Sequence, residues 1–188
     1  MEKRGIEWIF IGSVDNILLK LVDSLLLGLT VSEGNQIGTR TVLKRDPEER
    51  VGVLCKQNNK IKVIEYTELP KEIACIKDDE GELVFGESHI MCNLFSLDAI
   101  KRASTKELEY HIAFKRADYL NENGEFIKVD KPNAYKFEKF IFDSFKLFDN
   151  ISILRGKREE DFAPVKNMTG EDSPETAKKL YENYWKKA

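Results

Sequence analysis

The sequence is poor in the residues that would announce a metal centre or a disulfide scaffold. It has two histidines, His89 and His111, too few for a His-rich metal site. Its three cysteines, Cys55, Cys75 and Cys92, are odd in number and never take a CxxC spacing. That argues for a reducing compartment and against a disulfide framework or a zinc site. A surplus of one charge is lacking too. Thirty basic residues against 33 acidic ones leave a net charge of -3, so nothing is in excess to bind a phosphodiester backbone, and nucleic acid is a poor candidate partner. Long apolar runs are absent: Ile17 to Leu29 is interrupted by Lys20 and Asp23 and is too short to span a bilayer. Met1 to Gly5 is charged and leads into an apolar run rather than a cleavage site, which predicts no signal peptide and a cytoplasmic protein. There is no GxSxG, no HExxH and no recognisable Cys–His pairing.

What is present is an α/β pattern, read as a single unit over residues 1–188. Glu7 to Val14 is nearly continuous in apolar residues, which suits a strand buried on both faces. Asp15 and Asn16 close it, and Leu18, Leu21, Val22, Leu25 and Leu26 then recur at helical spacing. Gly34 to Arg40 superficially resembles a phosphate cradle, but its glycines lie four apart with no strand before them, so it reads as a surface loop. Val51 to Cys55 and Ile61 to Tyr66 predict a hairpin. Leu83 to Phe85 and His89 to Cys92 predict short strands, and Ser96 predicts a cap for a helix from Leu97. Tyr110 to Lys115 and Glu125 to Val129 predict a second hairpin around Asn121 to Gly124. Tyr135 to Phe148 predicts an amphipathic helix and Ile151 to Leu154 a strand. Pro174 to Lys187 predicts a last helix whose buried stripe is Ala177, Leu180, Tyr181, Tyr184 and Trp185.

Ligands in open α/β sheets sit at the carboxyl ends of strands, which draws attention to Asp15 and Asn16. Asp15 could hold Mg²⁺ on a nucleotide and Asn16 a sugar hydroxyl, or the pair could simply form an Asx turn; spacing alone does not choose. Glu65 and Tyr66 could bind a sugar, though a cross-strand pair is the default. Lys166, after Pro164, could meet a phosphate or be merely solvated. The phenylalanines from Tyr135 onward read as core.

Four stretches carry more together than apart. They are Val14-Asp15-Asn16-Ile17-Leu18-Leu19-Lys20-Leu21-Val22-Asp23, Val63-Ile64-Glu65-Tyr66-Thr67-Glu68-Leu69, Lys131-Pro132-Asn133-Ala134-Tyr135-Lys136-Phe137-Glu138-Lys139-Phe140-Ile141-Phe142-Asp143 and Glu160-Asp161-Phe162-Ala163-Pro164-Val165-Lys166-Asn167. In this order the chain, from about Gly5 to about Asn167, resembles the carboxyl-terminal half of the UDP-N-acetylglucosamine (UDP-N-acetylhexosamine) pyrophosphorylases. The resemblance implies the carboxyl-terminal portion of a glycosyltransferase-A-like, Rossmann-related fold: a mixed sheet with flanking helices and β-hairpins. It implies uridylyl transfer, in which UTP and a hexose or N-acetylhexosamine 1-phosphate give UDP-sugar and pyrophosphate, with Mg²⁺.

By the same resemblance Asp15 would bind the metal and phosphates and Lys166 would meet the phosphates. Asn16, Glu65 and Tyr66 would contact the sugar, and Phe140 and Phe142 would border its pocket. His89 stands where the N-acetylhexosamine enzymes carry Asn, and it either donates to a sugar hydroxyl or sits in the core; the identity of the sugar stays open. The family's glycine-rich nucleotide loop is not found among the thirteen residues before Val14. The expectation is therefore a chain that holds the sugar side and does not complete the reaction alone. The alternative is a non-catalytic domain that binds sugar phosphate or nucleotide sugar. An uncovered sheet edge would favour self-association.

Overall fold

The computed structural model describes residues 1–187. Strand β1 (Trp8–Gly12) is followed by an irregular loop, helix α1 (Ser24–Ser32) and strand β2 (Ile37–Leu43). Strands β3 (Val53–Gln57) and β4 (Lys60–Ile64) form the expected hairpin. Asn58 and Asn59 make its two-residue turn with φ of 51° and 60°, the left-handed pair that matches the twist of the flanking strands. A short helix α2 (Lys71–Ala74), the long strand β5 (Glu87–Ser96) and helix α3 (Leu97–Ser104) come next. As expected, Ser96 Oγ caps α3, accepting from the Ala99 N–H at 3.0 Å. Strands β6 (His111–Lys115), β7 (Tyr119–Leu120), β8 (Phe126–Ile127) and β9 (Ala134–Glu138) precede a 3₁₀ helix, Ile141–Leu147. Strand β10 (Ser152–Arg155) and helices α4 (Arg158–Asp161) and α5 (Pro174–Lys187) follow.

Among the described residues the main sheet runs β10-β2-β5-β3-β4, with β1 also paired to β5. Only β10 and β2 run parallel; the other pairs are antiparallel, so the sheet is mixed. Its larger core joins Ile37, Leu54, Val63 and Phe95 of the strands to Phe142, Phe145 and Phe148. A second cluster, Val42, Ile90, Cys92 and Phe162, draws in Phe10 and Leu19. A third seats Leu18 against Ala163 and Ala177. Each large side chain buried this way contributes about 1.5–3 kcal/mol relative to exposure. No helix among the described residues is long and apolar enough to cross a membrane.

Several expected elements differ. Gly34 to Arg40 is largely the start of the central strand β2, not a surface loop. Its polar Thr39, Arg40 and Thr41 are buried, and at Gly38 a Cβ would strike the Thr30 hydroxyl. β1 is a half-buried edge strand rather than one covered on both faces. The helix expected from Leu18 begins only at Ser24, because Asp23 Oδ1 accepts from the Leu25 and Leu26 N–H groups, each at 3.1 Å, and so fixes the start there. Leu21 and Val22 are left exposed. Leu83 to Phe85 forms no strand beyond an isolated bridge from Leu83 to Lys77.

The second predicted hairpin does not form as drawn. β6 pairs instead with β9, more than twenty residues on, while β7 and β8 make the short local hairpin. The predicted helix over Tyr135–Phe148 is therefore half strand and half 3₁₀ turn. Its phenylalanine spacing comes from the turn that buries Phe142, Phe145 and Phe148. α5 forms as expected, but Tyr181 and Trp185 stand exposed, since Ala177 and Leu180 already fill its contact.

Candidate functional site

The site is organised by an irregularity in β5. Arg40 of β2 faces Cys92, yet the next residue, Thr41, faces His89, so Ile90 and Met91 are extra residues on β5. Met91 takes φ 50° to accommodate the bulge. β2 occupies one side of β5 throughout, so β1 and β3 share the other side. β1 ends opposite Cys92 and β3 begins opposite Ser88, leaving the bulge between them. The Ser13 N–H donates to the Met91 carbonyl and the His89 N–H to the Gly52 carbonyl, each at 2.9 Å. Two loops, one leaving β1 and one entering β3, thus converge on the bulge.

The first loop carries Asp15, half-buried, whose carboxylate accepts from the Ser13 hydroxyl. The Val165 N–H donates to the Asp15 carbonyl at 2.9 Å, which seats Lys166 beside this loop. Lys166 is exposed, its Nζ 5.5 Å from the centre of the Phe162 ring and 3.5 Å from the Arg50 carbonyl. Asn16 is buried and works inside the fold. Its Nδ2 donates to the Asp161 carbonyl at 2.8 Å, and its Oδ1 accepts from Ala163 N–H at 2.8 Å and Leu18 N–H at 3.2 Å. Behind it lies an ion network. Arg40 Nε donates to Asp23 at 2.6 Å, Arg40 also meets Asp161 at 3.2 Å, and Lys20 reaches Asp161 at 2.8 Å. Burial works against the Asp23 charge, but the Arg40 bond and the backbone N–H groups of α1 outweigh it and hold its pKa below the ordinary value.

The second set follows β4. The turn carrying Glu65 and Tyr66 packs over Gly52, where a Cβ would lie 2.9 Å from Val63 Cγ1 and 3.0 Å from Glu65 Oε1. Burial raises the Glu65 pKa and His111 opposes the rise. Tyr66 is partly exposed, over a cavity of about 380 Å³ that it shares with Arg50 and Lys44. Phe140, half-buried, stacks on Phe142 with ring centres 4.8 Å apart, and Phe142 itself is buried in the core. His89 is buried edge-on to Phe142 at 5.0 Å, with Nε2 2.9 Å from Asn93 Oδ1. Burial pulls its pKa down to about 4, against the Asn93 bond, so the ring is neutral at pH 7.

The structure therefore seats the backbone beside Lys166 against Asp15, sends the Lys166 amine to the Arg50 carbonyl on the loop entering β3, and sets the Glu65–Tyr66 turn over Gly52, with Phe140 stacked on Phe142. Asn16, His89 and Phe142 lie beneath, with their polar atoms or rings engaged by the fold. Sequence reasoning missed His111, Glu68 and Asp143. His111 Nδ1 and Nε2 lie 2.9 Å from Glu68 Oε1 and Asp143 Oδ2 respectively. The available signal was that Glu68 and Asp143 stand within two of the four family-like stretches. No group of three His, Cys, Asp or Glu side chains among the described residues is arranged to hold a metal ion.

The family model for UTP–glucose-1-phosphate uridylyltransferase matches residues 1–172. The chain belongs to this family. It is 39% identical over 184 residues to UDP-N-acetylhexosamine pyrophosphorylase-like protein 1 of Homo sapiens, covering 95% of this chain and 36% of that protein. It is 35% identical over 188 residues to the UDP-N-acetylglucosamine pyrophosphorylase of Saccharomyces cerevisiae, covering 96% of this chain and 39% of that one. The chain thus spans little more than a third of the length of these relatives. Among solved structures, the uridine diphosphate N-acetylglucosamine pyrophosphorylase from Trypanosoma brucei superposes with a TM-score of 0.80 at 31% identity, over 95% of this chain and 35% of that one. A UDP-glucose pyrophosphorylase mutant from Leishmania major, at 15% identity and a TM-score of 0.63, shares the fold. The resemblance and the fold class expected from the residues are both borne out.

Proposed function

We propose that the segments around the β5 bulge, carrying Asp15, Lys166, Glu65, Tyr66 and Phe140, form the sugar and phosphate side of a UDP-N-acetylglucosamine pyrophosphorylase site. The observation that carries this reading is the convergence of Asp15 and Lys166 with Glu65, Tyr66 and Phe140 on one irregularity of the sheet. The names of the relatives supply the substrate class: UTP and N-acetylglucosamine 1-phosphate on one side of the reaction, UDP-sugar and pyrophosphate on the other.

In that reaction a phosphate oxygen of the sugar phosphate attacks the α-phosphorus of UTP. A new P–O bond forms, the α–β bridge breaks, and pyrophosphate leaves. Such displacement needs alignment and charge neutralisation rather than a covalent nucleophile, which fits a site with no nucleophile-and-base pair. Lys166, exposed on the loop beside Asp15, would neutralise phosphate oxygens. Asp15 offers one hard oxygen donor, the kind of set from which Mg²⁺ is held when phosphate oxygens and water complete its shell. When bound, that ion supplies charge neutralisation on the phosphates. Glu65 accepts from sugar hydroxyls, Tyr66 flanks them, and Phe140 gives the ring an apolar wall. Asn16, His89 and Phe142 hold these groups in place from below.

Calorimetric titration of the chain with UDP-N-acetylglucosamine tests the reading. Each charged contact to the ligand is worth about 1.5–3 kcal/mol, so Glu65→Gln and Lys166→Met should each weaken binding by about ten- to a hundredfold. Unchanged affinity in both variants, with the fold intact, would reject it.

A further inference from the structure

We infer that His111 is a positioning residue of the sugar subsite: its imidazolium, held between Glu68 and Asp143, ties the Glu65–Tyr66 turn to the Phe140–Asp143 segment. The inference rests on the reading above, in which Glu65 and Phe140 face the sugar.

The pairing of β6 and β9 sets His111 opposite Glu138. From there the ring reaches two other elements. Nδ1 meets Glu68 Oε1 on the turn after β4, and Nε2 meets Asp143 Oδ2 on the 3₁₀ helix, both at 2.9 Å. Its face lies 4.9 Å from the Phe140 ring. A neutral imidazole has one N–H and one lone pair, and a lone pair turned toward a carboxylate is repelled. Both contacts are therefore attractive only when both nitrogens carry protons. Burial alone would discharge the ring, but the bonds to Asp143 and Glu68 outweigh it and raise its pKa above the ordinary value.

The charge on this ring reaches Glu65. Burial pushes the Glu65 pKa up, His111 holds it down, and Glu68, Glu138 and Asp143 push it up further. Once the histidine loses its proton, Glu68 and Asp143 lose the cation that joins them, while Glu138 keeps its own partner, Lys136, at 2.8 Å. Glu65 then has less reason to remain an acceptor, and the turn loses its tie to the Phe140 segment. Glu109 also faces this cluster but is bonded to Lys146 at 2.7 Å, and Lys62 lines the same cavity of about 650 Å³. Of all these groups, the histidine is the one whose ordinary range lies nearest neutrality.

The experiment is calorimetric titration of the full chain with UDP-N-acetylglucosamine from about pH 6 to about pH 9, beside an NMR titration of the His111 ring. The expected result is affinity that falls about tenfold as His111 deprotonates, and a His111 pKa that rises when the ligand binds, because the coupling is reciprocal. His89 stays neutral over this window, so the two rings are told apart. His111→Gln should bind about tenfold more weakly at the acid end with a flat pH profile, and His111→Lys should restore the affinity without restoring the pH step. If the unaltered chain binds no UDP-sugar at any pH, the reading of the site falls and this inference with it. If it binds, and Glu65→Gln weakens that binding, yet His111→Gln keeps the same pH step, the inference alone is overturned. Should His111→Gln not fold, a His111 pKa that ligand leaves unchanged overturns it equally.

Discussion

The two sides of the site are braced by charge, but the braces are built from different chemistry. Behind Asp15 and Asn16, Arg40 lies within the sheet, 2.6 Å from Asp23 and 3.2 Å from Asp161, with all three side chains buried. Beside Glu65 and Phe140, His111 lies half-buried between Glu68 and Asp143. A guanidinium keeps its charge at any pH the fold survives, whereas an imidazole does not. The deeper position thus holds the group that cannot discharge, and the shallower one holds a group that titrates. One side of the site is fixed and the other is adjustable.

The contrast is broken most directly by removing a buried partner. Asp161→Ala leaves Lys20 and one arm of Arg40 unpaired and should lower unfolding stability by about 3–5 kcal/mol in urea titrations, with little dependence on pH near neutrality. Next in size is an acid effect from the other histidine. Folded His89 refuses a proton until about pH 4, while the unfolded residue accepts one near 6.5. Its contribution to stability is therefore lost as pH falls through that window, by about 3 kcal/mol. His89→Gln should flatten that part of the stability curve.

His111 should act with the opposite sign. Its folded pKa is raised, so its stabilisation is complete below the unfolded value of 6.5 and declines as pH rises through the folded one. His111→Gln should abolish that decline in thermal melts taken across neutral and mildly alkaline pH. The smallest effect belongs to Lys20, whose side chain is 31% exposed. Lys20→Met should cost about 1 kcal/mol or less, because solvent screens the pair.

The same contrast explains what could be read from the residues alone. The Val53–Ile64 hairpin, the Ser96 cap, β10 and α5 rest on neighbouring residues and local turn chemistry, and each was legible. β2 was not, because its buried Thr39, Arg40 and Thr41 look like loop residues until Asp23 and Asp161 are brought to them from distant segments. The partnership of β6 with β9 was equally hidden. The intervening Asn121–Gly124 turn pointed to a nearer partner, and the phenylalanine spacing of a 3₁₀ turn passed for a helix. Asp15, Lys166, Glu65, Tyr66 and Phe140 were found as separate motifs. The bulge that gathers them depends on the register between β2 and β5, which no local pattern records.

The most direct test of the account is to map UDP-N-acetylglucosamine binding residue by residue with backbone and side-chain NMR. The account predicts shifts that cluster at Asp15, Gly52, Glu65, Tyr66, Phe140 and Lys166, on both sides of the Met91 bulge. Saturating ligand that leaves these signals in place, or moves only residues far from that bulge, would contradict it.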